Sequence, residues 1–337
     1  MKQPIFFERN RVGRVYTGGK LFAGFFGDEP VDGFLPEEWI ASAVKAVNRV
    51  MITEKDGVSK VEGTDIYFDD LLSENPEEML GSSQKMRILV KVLDSAVRLP
   101  AQAHPDKAYS GKHFHSEYGK TESWIMLDTR PDAKLFFGFK DGVDREKFAE
   151  AIDESKTDKD AMERLMRYIE PEKKDVFLVP AKTVHAIGAG CLILEIQEPT
   201  DFTIQPEHWC GDYELNDMEM YQGVSKEDAI DCFEFTPAPD TRMIPELLKE
   251  NAGERYERLI GEKNTDCFII NRINLTDGEH LIALNDTYGV YIVTEGNGLL
   301  TGNGYERKVK KGDYFFMPCC AMGDFKLTGN LECVECY

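Results

Sequence analysis

The chain has 337 residues, more than one typical core supports, so two compact units or one elaborated barrel are expected. With 40 Lys and Arg against 61 Asp and Glu the formal charge is −21, and no basic block interrupts that acidity; nucleic acid and anionic membrane are excluded as partners, and an anionic small substrate requires a local basic pocket. The N-terminus "MKQPIFFERNRVGRVYTGG" lacks the apolar core of a signal peptide and no segment approaches a membrane span, so a cytoplasmic protein is expected, with its 8 scattered cysteines reduced rather than paired.

Residues 1–98 read as a scaffold of short extended runs with one helix predicted over "PEEWIASAVKAVNR", 36–49, where Pro36 suits a first turn and Trp39, Val44 and Val47 fall at helical spacing. From Ile88 the texture is β: "RILVKVLD", "ESWIMLDT", "KLFFGF", "DVFLVP" and "CLILEIQ", punctuated by Gly, Pro and Asp turns. Between the third and fourth runs, over 141–174, Phe148, Ile152, Met162, Leu165 and Ile169 recur at helical intervals and Pro171 closes the segment, predicting a helical insertion. "TPAPDTRMIP", 236–245, has the character of a linker. Beyond it, "EGNG…VKKGDYFFMP" has the alternating runs and Gly-Asn turns of a small double-stranded β-helix barrel. Similar grammar in "PEKKDVFLVPAKTVHAI" predicts two related barrels, 1–236 and 237–337, of which the second lacks a His after "FMP" and so carries no metal ligands.

Residues two apart on a strand share a face. Gln102 and His104 in "RLPAQAHPDK" therefore point together, as do Lys120 and Glu122 in "GKTESW" and Glu195 and Gln197 in "CLILEIQ", with His185 following "VPAKTV". Polar groups aimed into a small barrel need partners, since unpaired burial costs roughly 1–3 kcal/mol each. Two imidazoles, a carboxylate and an amide oxygen would satisfy one another through a divalent ion, zinc before others. Each His taken alone reads as an ordinary hydrogen-bonded residue; the four positions together, on strands of one barrel, favour the metal.

"QAHPDK", "GKTESW" and "VPAKTVHAIGAGCLILEIQE" together resemble the signatures of type I phosphomannose isomerases, zinc enzymes of the cupin superfamily, over about 85–210. The resemblance implies a mainly β fold of two cupin barrels and interconversion of mannose 6-phosphate and fructose 6-phosphate. It further implies Gln102, His104, Glu122 and His185 as zinc ligands, Lys120 and Lys107 facing the sugar, and Glu195 either near the reacting carbons or holding a ligand in place. A sugar phosphate is the expected partner, no organic cofactor is required, and the chain is expected to act as a monomer or homodimer. Two positions depart from the family pattern: Gln205 stands where an Arg is usual, and Pro100 where a Ser often contacts phosphate. A neutral amide cannot supply a guanidinium's charged donors, so the alternatives are a cupin that binds sugar without turnover or one that isomerises another sugar. Arg14 and Arg130 are other arginines that could serve the pocket. His113 and His115 read as a rim loop, and the CxxC of Cys333 and Cys336, with Cys319 and Cys320 as nearest partners, as an unusual geometry for structural zinc.

Overall fold

The structure, a computed structural model, describes residues 2–47, 53–236 and 241–337. It is mainly β, and three antiparallel sheets organise it. A six-stranded sheet runs in the order Arg11–Val12, Glu37–Ile40, Leu89–Ser95, Cys191–Gln197, Glu122–Thr129, Val176–Val179. A three-stranded sheet, Met166–Ile169, Leu135–Phe139, His185–Ile187, lies against it. Leu93, Trp124, Met126, Phe177 and Ile193 of the first meet Leu135, Phe137 and Ile187 of the second in one core.

The other face of the six-stranded sheet is also buried. Val90, Val92, Ile125, Leu194 and Ile196 pack against Ile270, Val290, Ile292, Phe316 and Val334 of an eight-stranded sheet built largely from residues after 245. Apolar residues on both faces explain why "RILVKVLD" and "CLILEIQ" read as nearly continuous apolar runs, each buried Leu, Ile or Val contributing about 1.5–3 kcal/mol. Strand Ile5–Phe6 pairs with Tyr314–Met317, so the start of the chain belongs to the eight-stranded sheet. In that sheet Gly289–Gly302 and Lys326–Cys336 pair along most of their length and curl around a second core of Tyr291, Val293, Leu300, Phe315 and Leu327.

Several local expectations are corrected. The predicted helix over 36–49 is strand Glu37–Ile40 followed by irregular chain to Val47; its last two residues lie outside the described residues. Glu37 and Trp39 take the extended form because they register against Leu93 and Lys91 of the neighbouring strand, and Glu37 ion-pairs with Arg14. The helical insertion is helical only over Arg145–Glu154, capped by Asp144, whose side chain accepts from the Lys147 N–H. After a turn, Glu163–Leu165 is a 3-10 helix and Met166–Ile169 a strand, because Leu135–Phe139 offers it an open edge. Of the linker, 237–240 lie outside the described residues, while 241–243 bond to the Val176–Val179 strand through Leu178 N to Thr241 O (2.9 Å) and Met243 N to Val176 O (2.8 Å).

The first "GNG", 296–298, is no turn but the middle of the long strand Gly289–Gly302. Gly298 sits there because a Cβ would come 2.1 Å from the Thr328 carbonyl oxygen of the paired strand. The CxxC does not chelate: three apart on strand Lys326–Cys336, Cys333 and Cys336 enter opposite cores. His113 closes the short helix Lys107–His113 rather than lying in a loop.

Candidate active site

The inner face of the six-stranded sheet is apolar at one end and charged at the other. Along Leu89–Ser95 the inward positions are Lys91 and Leu93; along Glu122–Thr129, Glu122, Trp124 and Met126; along Cys191–Gln197, Ile193 and Glu195. Antiparallel register sets Glu195 opposite both Lys91 and Trp124, and Gln197 opposite Glu122. Leu192, Leu194 and Ile196 turn to the opposite core, as the period-two reading of "CLILEIQ" expects. The segment before Pro105 completes the end of the barrel. Gln102 and His185 exchange backbone bonds of 2.9 and 2.8 Å, and Ala103 does the same with Ile204, so Gln102 and His104 arrive beside His185.

His104, Glu122 and His185 are each no more than 2 % exposed, and their ligand atoms all lie within 4.8 Å of one another, the one such group of His, Cys, Asp or Glu among the described residues. His104 Nε2 is 3.0 Å from Glu122 Oε2, and His185 Nε2 3.4 Å from Glu122 Oε1. The Nδ1 atoms lie 2.9 Å from the carbonyl oxygens of Phe202 and Thr183. A carbonyl only accepts, so each Nδ1 carries the hydrogen and each Nε2 presents a lone pair to the carboxylate. Burial, aided by Lys120, holds His104 at about 3, so the imidazole is neutral at physiological pH. Burial also disfavours charge on Glu122, yet the neighbouring Lys120 holds its carboxyl well below the usual range. Lone pairs facing a carboxylate repel unless a cation stands between them, and Glu122 Oε2 and His185 Nε2 are buried without a hydrogen bond. That donor set of neutral imidazoles and a carboxylate, with the Gln102 amide lining the same space, fits a borderline divalent metal.

The centre opens on a cavity of about 420 Å³ whose floor is a cluster of buried charges. Arg14 reaches Asp201 at 3.0 Å and Glu37 at 2.9 Å. Lys91 Nζ lies 3.5 Å from Glu195, 3.7 Å from Asp201 and 3.9 Å from Glu37. Glu37 also accepts from the Tyr16 hydroxyl (2.7 Å) and the Trp39 indole (2.6 Å). Two cations thus balance two carboxylates and leave a third. Burial first, and Glu122 next, push Glu195 up to about 7 despite Lys91, while Arg14 and Lys91 outweigh burial and hold Glu37 at about 2. Lys91 and Glu37 escaped sequence reasoning. The one signal was Lys91, a lone inward charge in "RILVKVLD".

No family model matches the chain. The mannose-6-phosphate isomerase of Streptococcus mutans is 32 % identical over 340 residues, covering 100 % of this chain and 99 % of the relative. That of Bacillus subtilis, ManA, is 30 % identical over 250 residues, 73 % of each. The chain belongs to the mannose-6-phosphate isomerase family. The fold agrees: a crystal structure of the mannose 6-phosphate isomerase from Bacillus subtilis superposes with a TM-score of 0.80 at 23 % identity over 99 % of both chains. The apo form of the Salmonella typhimurium enzyme gives 0.73 at 15 % identity, covering 100 % of this chain and 99 % of the other.

Lys120 is buried with Nζ 3.0 Å from His104 Nε2 and 3.4 Å from Glu122 Oε2, and it lines the cavity. Gln205 and Pro100 both line the cavity wall; the Gln205 amide donates to the Glu219 carbonyl at 3.0 Å. Of the two arginines considered, Arg14 reaches the cavity, whereas Arg130 pairs with Asp32 and Asp94 away from it. Lys107 does not join the site. It opens helix Lys107–His113, which turns its half-exposed side chain outward to Asp266, 3.1 Å away. His113 and His115 do not line the cavity either.

Proposed function

We propose that the chain is a zinc-dependent aldose–ketose isomerase that interconverts mannose 6-phosphate and fructose 6-phosphate by moving a proton between C1 and C2 through an enediol. The observation that carries this reading is the buried set of His104, Glu122 and His185, with Glu122 Oε2 and His185 Nε2 lacking hydrogen bonds, opening on a cavity lined, among the described residues, by Arg14, Lys91 and Lys120. Gln102 joins them as the fourth ligand. A bound zinc ion supplies Lewis acidity for the oxyanion charge that builds up during enolisation. The chain's own groups do the rest.

Glu195, with an affinity for protons matched to neutral pH, removes the proton from C2 of the aldose; the electron pair forms the C1–C2 double bond and O1 takes up negative charge. The hydroxyl proton passes from O2 to O1, and the same carboxyl returns the carbon-bound proton to C1 as O2 becomes the carbonyl oxygen. Lys91 and Lys120, buried and close to this carboxylate and to the ligand pair, stabilise the charge that passes between O1 and O2, an effect strengthened by exclusion of water. Arg14 and Asp201 hold the floor in register. The names of the relatives support the phosphorylated substrate.

A second reading, isomerisation of a sugar without phosphate, is favoured by Gln205, which puts a neutral amide on the cavity wall. Coupled assays of zinc-loaded protein on mannose 6-phosphate and on mannose decide between the two. Metal-replete protein that turns over no hexose phosphate would overturn the first.

A further inference from the structure

Lys120 stands between two peptides that end on a single side chain. Glu198, immediately after strand Cys191–Gln197 and 3 % exposed, accepts from the Gly119 N–H at Oε1 (3.3 Å) and from the Thr121 N–H at Oε2 (2.9 Å). The Glu198 N–H donates in turn to the Thr121 carbonyl at 3.0 Å. Thr200 Oγ1 donates to the Gly119 carbonyl at 2.8 Å, and Gln197 Nε2 fixes that turn by donating to the Thr200 carbonyl at 2.5 Å. The Lys120 N–H itself donates to the Pro105 carbonyl at 2.9 Å. The approach is close enough to require glycine before the lysine, since a Cβ on Gly119 would come 2.6 Å from the Pro105 oxygen.

A lysine side chain has four rotatable bonds and, left to itself, samples many positions. Here its backbone is bracketed on both sides by a charged acceptor, and charge-assisted bonds to backbone N–H groups are the stronger kind. We propose that Glu198 is a positioning residue of the isomerase centre: its carboxylate grips the peptides on either side of Lys120 and so fixes the Lys120 ammonium against His104 and Glu122. The proposal rests on the reading that Lys120 acts on the substrate. It assigns Glu198 no contact with the sugar or the metal.

The test is Glu198→Gln in the zinc-loaded protein, an isosteric change in which one amide oxygen still accepts and the other acceptor becomes a donor. With one charge-assisted bond lost, kcat on mannose 6-phosphate is expected to fall about tenfold, with KM and zinc affinity, measured against a competing chelator, unchanged within about threefold. In a Lys120→Met background the same Glu198→Gln change is expected to alter the residual kcat less than about twofold, as for two residues acting through one group. A second readout does not need activity: reductive methylation followed by peptide mass analysis should label Lys120 faster in Glu198→Gln than in the parent. Thr200→Val, which removes only the bond to Gly119, should show the same labelling to a lesser degree and serves if Glu198→Gln does not fold. An unchanged kcat, or an equal tenfold loss in the Lys120→Met background, overturns the proposal. Full activity of Lys120→Met alone overturns the role of Lys120 and with it the proposal. Parent protein inactive on hexose phosphates overturns only the functional reading, and the labelling of Lys120 then decides the role of Glu198 by itself.

Discussion

Lys91→Met probes the charged floor of the cavity most sharply. The ammonium it removes is 4 % exposed and lies within 4 Å of Glu195, Asp201 and Glu37. Breaking a buried ion pair by deleting one partner typically costs about 3–5 kcal/mol, but Arg14 still faces Asp201 and Glu37, so the outcome turns on Glu195. In the metal-stripped protein Glu195 is raised from 4.5 to about 7. Between those values the folded protein keeps a proton that the unfolded chain has released. Its contribution is therefore fully present below about pH 4.5 and is lost as pH rises through about 7, about 3 kcal/mol in all. Without Lys91 the carboxyl holds its proton to still higher pH. At pH 6 Glu195 is protonated with or without Lys91, and the substitution should cost about 1–2 kcal/mol in lost packing and pairing with Asp201 and Glu37. At pH 8 the parent has an ionised Glu195 opposite Lys91, which the variant cannot match, and the cost should be about 1 kcal/mol larger. Urea unfolding of both proteins with a chelator present, at pH 6 and pH 8, measures the difference. Equal losses at the two pH values, or a smaller loss at pH 8, would refute the assignment of Lys91 as the cation that keeps Glu195 ionised.

His104→Ala and Glu122→Ala should each bind less than about a tenth of an equivalent of zinc by elemental analysis and lose activity by a factor on the order of a thousand; either variant retaining both metal and turnover would remove that residue from the centre. Gln205→Arg should lower KM for mannose 6-phosphate by roughly tenfold and leave KM for mannose unchanged; equal changes for both sugars would mean that this wall does not meet the phosphate. Lys107→Ala should keep kcat/KM within about twofold, because its ion pair with Asp266 is exposed and such pairs contribute little. A loss beyond about tenfold would return Lys107 to the site.

What was legible in the chain was the local pattern. Inward and outward positions along "RILVKVLD", "ESWIMLDT" and "CLILEIQ" follow from period-two alternation, and the structure brings Gln102, His104, Glu122, Lys120, His185 and Glu195 to one end of the barrel. What stayed hidden depends on contacts far apart in sequence. Arg14 and Asp201, 187 positions apart, meet across the cavity floor. Trp39, Val44 and Val47 fit a helical spacing, and it is the pairing of Glu37 and Trp39 with Leu93 and Lys91 that makes the start of this run a strand. Met166–Ile169 continued a helical rhythm until the open edge at Leu135–Phe139 took it as a strand. Lys107 shared a motif with His104, but the helix that begins at it carries its side chain outward to Asp266. Glycines at 296 and 298 signalled a turn by composition, whereas the close approach of a neighbouring strand is the reason they are there.

On the proposed reading, His104, Glu122 and His185 hold a zinc ion on which sugar isomerisation depends. Titrating chelator-treated protein with zinc while following conversion of mannose 6-phosphate to fructose 6-phosphate tests it directly. Activity should be absent at the start, rise in proportion to added zinc and saturate at about one equivalent per chain. Zinc-free protein that turns over mannose 6-phosphate at the zinc-saturated rate would contradict it.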